Sequence, residues 1–178
     1  MKTLLALLLF VASALGQTNP ALTRAQAACG PLNVRFDAEI SPNRPAAQPE
    51  PGKALVYVVE DYRRAPGEVL NPTIRVGLDG AWAGATRASS YLYFSVDPGE
   101  HHLCTNWQSS LKRLSSLAAF ARLTAEPGET YYFRAHITYS TRGGEGNAGA
   151  DLDLQRVDPD EGQYLVSSFR PSNAHPKK

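Results

Sequence analysis

The stretch SSYLYFSVDPGEHHLC, residues 89–104, reads as strand, turn, strand. Tyr91 to Val96 puts Tyr91 and Tyr93 on one face and Leu92, Phe94 and Val96 on the other, the period-two pattern of a β-strand. Asp97-Pro98-Gly99-Glu100 then interrupts it. Proline presets φ for the second position of a tight turn, and glycine accepts the positive φ that a type II turn needs next. His101 to Trp107 resumes the extended pattern. The Pro-Gly pair recurs at Pro51-Gly52, Pro66-Gly67 and Pro127-Gly128, and three of the four pairs stand directly before a strand-like run. A chain cut this way predicts a small antiparallel β domain.

Working outward, Leu32, Val34, Phe36, Ala38 and Ile40 alternate with polar residues, and Ser41 to Gly52 is a proline-bearing loop. KALVYVVE, residues 53–60, is continuously apolar and β-branched, as a central strand covered on both faces is. Asp61 to Pro72 reads as a long connection. Ile74, Val76 and Leu78 run into Asp79-Gly80, a strong hairpin signal, with a short returning strand that carries Trp82 and ends near Gly84. Ser109 to Ala125 fits both helical and strand spacing. The turn at Glu126-Pro127-Gly128-Glu129 demands an incoming partner, which favours a loop and then a strand from about Leu117. TYYFRAHITY, residues 130–139, is a long aromatic strand, followed by a Gly-rich hairpin or loop over 142–149 and a last strand marked by Leu152 and Leu154. Asp158-Pro159-Asp160-Glu161 reads as a helix start, with a cap, proline in the first turn and acids at the positive end of the dipole.

The expected fold is all-β: an antiparallel β-sandwich of about seven to eight strands with a short C-terminal helix. Residues 1–16 are read as a secretory signal peptide, with Lys2, an apolar core from Leu4 to Val11 and small residues at Ala14 and Gly16. Residues 17–30 are expected to form a flexible leader, 31–170 a single β-sandwich domain and 171–178 a disordered tail. No second apolar run reaches membrane length, so no transmembrane segment is expected. With 18 basic and 17 acidic residues there is no basic stripe, and nucleic acid is not an expected partner.

Export bears on the cysteines. In an oxidising compartment Cys29 and Cys104 are expected to form a disulfide. His101, His102 and His136 are the metal-ligand candidates, but their spacing matches no zinc motif. No serine sits in a G-x-S-x-G elbow or S-x-x-K arrangement, and Gly143-Gly144-Glu145-Gly146 opens no helix that would cradle phosphate. An enzyme is not expected, nor a cofactor. Trp82, Tyr91 and Tyr93 are the candidate ligand surface, an aromatic platform for sugar or peptide, against the alternative that they pack with their polar ends in water.

The order KALVYVVE, IRVGLDGAWAG, SSYLYFSVDPGEHHLC, LTAEPGETYYFRAHI resembles the bacterial DUF2846 family, an exported domain of unknown function. The likeness runs from about Cys29 to Phe169 and includes a closing helix after LDLQRVDPDEG. Many members look like lipoproteins, and this chain departs from them in lacking a convincing acylation site. The middle section is also similar to PEGA-type surface modules, in which a strand, an LDG turn and a PGEH turn recur. Neither resemblance supplies catalytic residues. Together these readings predict an exported, non-catalytic structural or interaction module of the cell envelope, whose partner is another envelope protein or a surface glycan. Two alternatives stand beside it: a carbohydrate- or small-ligand-binding domain using the aromatics, and a metal-dependent enzyme at the histidines.

Overall fold

The computed structural model describes residues 27–62, 71–141 and 148–178. The expected signal peptide, most of the expected leader, the Pro66-Gly67 turn and the Gly143–Gly146 run lie outside them. The described strands are β1 (Phe36–Ile40), β2 (Ala54–Asp61), β3 (Thr73–Leu78), β4 (Ala81–Arg87), β5 (Ser90–Val96), β6 (Gly99–Trp107), β7 (Ala118–Ala125), β8 (Thr130–Thr141), β9 (Ala148–Val157) and β10 (Arg170–Pro176). A single helical turn, α1 (Lys112–Ser115), precedes β7, and α2 (Pro159–Ser168) precedes β10. The β-sandwich and its closing helix are as expected, with ten strands rather than seven or eight.

The strands form two sheets, a six-stranded one in the order β1-β10-β5-β2-β8-β9 and a four-stranded one in the order β4-β3-β6-β7. Pairing is mixed rather than wholly antiparallel: β2 runs parallel to β8, and β10 runs parallel to β5. The connections between sheets set this pattern: α2 carries the chain from β9 to β10, and two Pro-Gly turns cross between the layers. The Asp97–Glu100 turn carries the chain from β5 in one sheet to β6 in the other, and Glu126–Glu129 carries it from β7 back to β8. They are arches between layers, not hairpins. Gly99 and Gly128 adopt φ of 133° and 82° there, values that strain any residue with a Cβ. Asp79-Gly80, at φ 49° and 90°, makes the one hairpin read from the sequence, β3–β4. Strand β4 runs past Gly84 to Arg87, with a register shift at Val76/Gly77.

Strand β2 is buried along its whole length. Val56, Val58 and Phe133 fill the space between the sheets with Val76, Leu103 and Leu123. On its other face Leu55, Tyr57 and Val59 lie under α2, against Leu165 and Val166. The helix begins as expected: the Asp158 carboxylate accepts from the Asp160 and Glu161 N–H groups, with Pro159 in the first turn.

Two boundary expectations are corrected. Residues 171–176 are not a disordered tail; β10 pairs with β1 from Phe36↔Pro176 to Ile40↔Ser172 and shields β5. Nor is the leader free up to residue 30, because Ala28 is buried and Cys29 is covalently tied. Segment 27–35 lies over the outer face of the four-stranded sheet. The layers are thus α2, six strands, four strands and this N-terminal segment.

Candidate functional site

Cys29 and Cys104 form a disulfide, with Cα atoms 5.2 Å apart. Cys104 faces outward from β6 beside Gly77 of β3, so the bond presses the N-terminal segment onto the sheet. Gly77 is the residue that permits this contact, because a Cβ there would meet the Ala28 carbonyl. Trp82 reinforces the clasp. Its indole Nε1–H donates to the Pro31 carbonyl at 2.8 Å, and its ring lies against Gly30 and under the Arg75 guanidinium, 4.5 Å from its centroid.

The LDG turn and the PGEH turn meet at the end of the same sheet. Asp79 of the LDG turn accepts from the His102 N–H at 2.8 Å and pairs with His101 Nδ1 at 2.6 Å. The other ring nitrogen of His101 lies 2.7 Å from the Asp97 carbonyl. Burial alone would lower the pKa of His101, but the Asp79 and Asp97 contacts outweigh it and hold it above the usual histidine value. His101 is therefore a pin between the β3–β4 hairpin and the β5–β6 arch. His136 lies on the other sheet, with Nδ1 3.0 Å from the Asp61 carbonyl. The structure does not bring the three histidines together, and among the described residues no three His, Cys, Asp or Glu side chains converge on a metal-sized site. Cys104 is already committed to the disulfide.

The aromatic platform is likewise corrected. Trp82 belongs to the four-stranded sheet, whereas Tyr91 and Tyr93 belong to the six-stranded one. Tyr91 is only 3% exposed. It joins Tyr57, Tyr93 and Tyr132 in a tyrosine layer, with Tyr57 stacked on Tyr132 at 5.3 Å and edge-on to Tyr91 at 5.7 Å. The layer is sealed by Leu165, Val166 and Phe169. Burial first, then the neighbouring tyrosines, pushes the Tyr57 phenol up to about 12. The aliphatic face of β5 does point into the core, as its alternation implies; the tyrosine face is covered by a helix. Of the trio only Tyr93 lines a groove, with Asn43, Pro45 and β10.

The remaining binding elements are the sheet edges. Strand β1 is short and carries Asp37 and Glu39; β9 exposes Asp151, Asp153 and Gln155; β4 has a register shift and packs against β1 and β10. Strand β7 differs. It is eight residues long, pairs with β6 in unbroken register, packs against β9 of the other sheet, and has no hydrogen-bonded strand on its outer side among the described residues. Phe120, Arg122 and Thr124 project to solvent from it. Charges, bulges and short length protect the other edges, and β7 has the least of these.

Sequence reasoning singled out neither Arg75 nor Arg35. The signal for Arg75 was an arginine at an outward position of an otherwise apolar strand, Ile74-Arg75-Val76.

The model of a family described as a protein of unknown function, DUF2846, matches residues 50–150, from the turn before β2 into the start of β9. No curated protein matches the chain.

Proposed function

The chain belongs to the DUF2846 family, and from that premise we propose that it is an exported, non-catalytic interaction module of the bacterial cell envelope that engages a partner protein along β7. The observation that carries this reading is the long, regular, unpaired edge of β7. Such an edge offers main-chain N–H and C=O groups at strand spacing, and an extended segment of a partner adds to it as a further strand. The exposed Phe120 and Arg122 give that addition a side-chain preference. Export is supported by the Cys29–Cys104 bond, because disulfides persist in oxidising compartments. A non-catalytic role is supported by how the reactive side chains are spent: Cys104 in the clasp and His101 in a turn-to-turn pin.

The test is site-specific photo-crosslinking in the native envelope, with the photoreactive residue at Phe120 or Arg122 and, as a control, at exposed Tyr164 on α2. A discrete heteromeric adduct from both β7 positions and none from Tyr164 is expected. Adducts of equal yield from all three positions, or none from β7, would contradict the reading.

A further inference from the structure

Arg75 reaches from β3 beneath segment 32–34 and is only 4% exposed. Its guanidinium is permanently charged and carries five N–H donors. Nη1 donates to the Leu32 carbonyl at 3.0 Å and the Val34 carbonyl at 2.6 Å. Nε donates to Asn106 Oδ1 at 3.1 Å, and Nη2 donates to the same oxygen. One Nη2 proton is left over. Every acceptor it has is neutral, whereas buried charges are ordinarily paired. Burial first, and then the like charge of nearby Arg35, work against the charged state of Arg75.

Arg75 lines a cleft of about 300 Å³, whose walls also include Arg35, Asn33, Gln108, Ser109 and Ser115. None of the described residues that line it is acidic. Gln108 and Ser109 each keep a donor proton, whereas the Ser115 hydroxyl donates to the Lys112 carbonyl. Gln108 Oε1 accepts from the Phe36 N–H at 2.7 Å and Nε2 donates to the Phe36 carbonyl at 2.8 Å, which leaves one Nε2 proton. Ser109 Oγ accepts from the Leu111 N–H, which leaves its own proton. Two guanidinium groups, an amide N–H and a hydroxyl around one small cavity are complementary to an acceptor-only, negatively charged group.

We infer that this cleft is a binding site for an oxyanion, a carboxylate or a phosphoryl group, held by Arg75 and Arg35 with Gln108 and Ser109. The site is distinct from the β7 edge and stands or falls separately from it. Arg75 gains the counter-charge that its protein neighbours do not provide, and Arg35 supplies the exposed arm that selects for charge.

The experiment is a backbone and arginine-side-chain NMR titration of the disulfide-intact protein with inorganic phosphate and, separately, with acetate, at ionic strength held constant with chloride. Saturable shifts confined to residues 32–35, Arg75 and 106–109 are expected, with at least tenfold weaker binding in Arg35→Ala and partial recovery in Arg35→Lys. Saturation by phosphate alone assigns a phosphoryl ligand, and saturation by acetate alone a carboxylate. Arg75 is not varied, because its removal also frees segment 32–34; Ser109→Ala is the second variant and is expected to weaken binding severalfold. Linear shifts with both anions, or unchanged binding in Arg35→Ala and Ser109→Ala, would overturn the inference.

Discussion

Glu60 is the residue whose environment departs furthest from what its type prefers. It ends the apolar run of β2 on the face between the sheets and is fully buried. The Thr86 hydroxyl donates to its Oε2 at 2.7 Å, and Oε1 has no hydrogen-bond partner among the described residues. Burial outweighs the Thr86 and Ala88 hydrogen bonds and raises its pKa to about 8, so the folded protein holds a protonated carboxyl at neutral pH. The folded pKa lies above the unfolded one. The contribution of Glu60 to stability is therefore complete below about pH 4.5 and is lost as pH rises through about 8. Denaturant titrations between pH 5 and 9 should show wild type losing a few kcal/mol relative to Glu60→Gln across that window. Parallel pH profiles for the two proteins would contradict it. In the sequence Glu60 reads as the polar end of a strand, since nothing local indicates that β4 covers it. Tyr91 and Trp82 misled for the same reason: alternation tells which residues share a face, but not that α2 seals one face or that segment 27–35 covers another. Arg75 was invisible because its partners, Leu32 and Asn106, are distant in the chain.

Elements with self-contained chemistry were legible. Asp79-Gly80 fixes a hairpin by backbone conformation alone, and Asp158-Pro159 starts α2 with its own cap. The strand from about Leu117 was recovered because the turn at Pro127-Gly128 needed one, although composition alone favoured helix. Strand β10 was not legible. Its sequence RPSNAHP has two prolines and no apolar alternation, and it exists because β1 on one side and β5 on the other hold it. The packing of α2 yields a prediction at this scale. Gly162 lies against the Tyr132 ring, where a Cβ would overlap it. Gly162→Ala should cost about 1–3 kcal/mol through overpacking, despite the better helix propensity of alanine. Gln163→Ala, on the exposed side of the same turn, should stay within about 0.5 kcal/mol of wild type in the same urea titration. A stabilised Gly162→Ala would show that α2 does not press on the tyrosine layer.

At the scale of the whole molecule, the sandwich followed from strand count and turn spacing, but its connectivity did not. The parallel β2–β8 and β5–β10 pairs join segments about 75 and 80 residues apart in the chain, and no local pattern encodes them. The Pro-Gly arches move the chain from β5 to β6 and from β7 to β8, and α2 carries it from β9 to β10, so strands far apart in the chain become sheet neighbours. The clasp closes the remaining face: Cys29–Cys104 spans 75 residues, long enough for roughly 4 kcal/mol of stabilisation on the chain-entropy model. On the proposed reading, that bond locks an exported chain in this form. Intact mass of the protein recovered from its host's envelope, with and without reduction and thiol alkylation, tests it most directly. The account predicts a species beginning at Gln17, two hydrogens lighter than the reduced chain, that takes up two alkyl groups only after reduction. Free thiols on Cys29 and Cys104, or a lipid on Cys29, would contradict it.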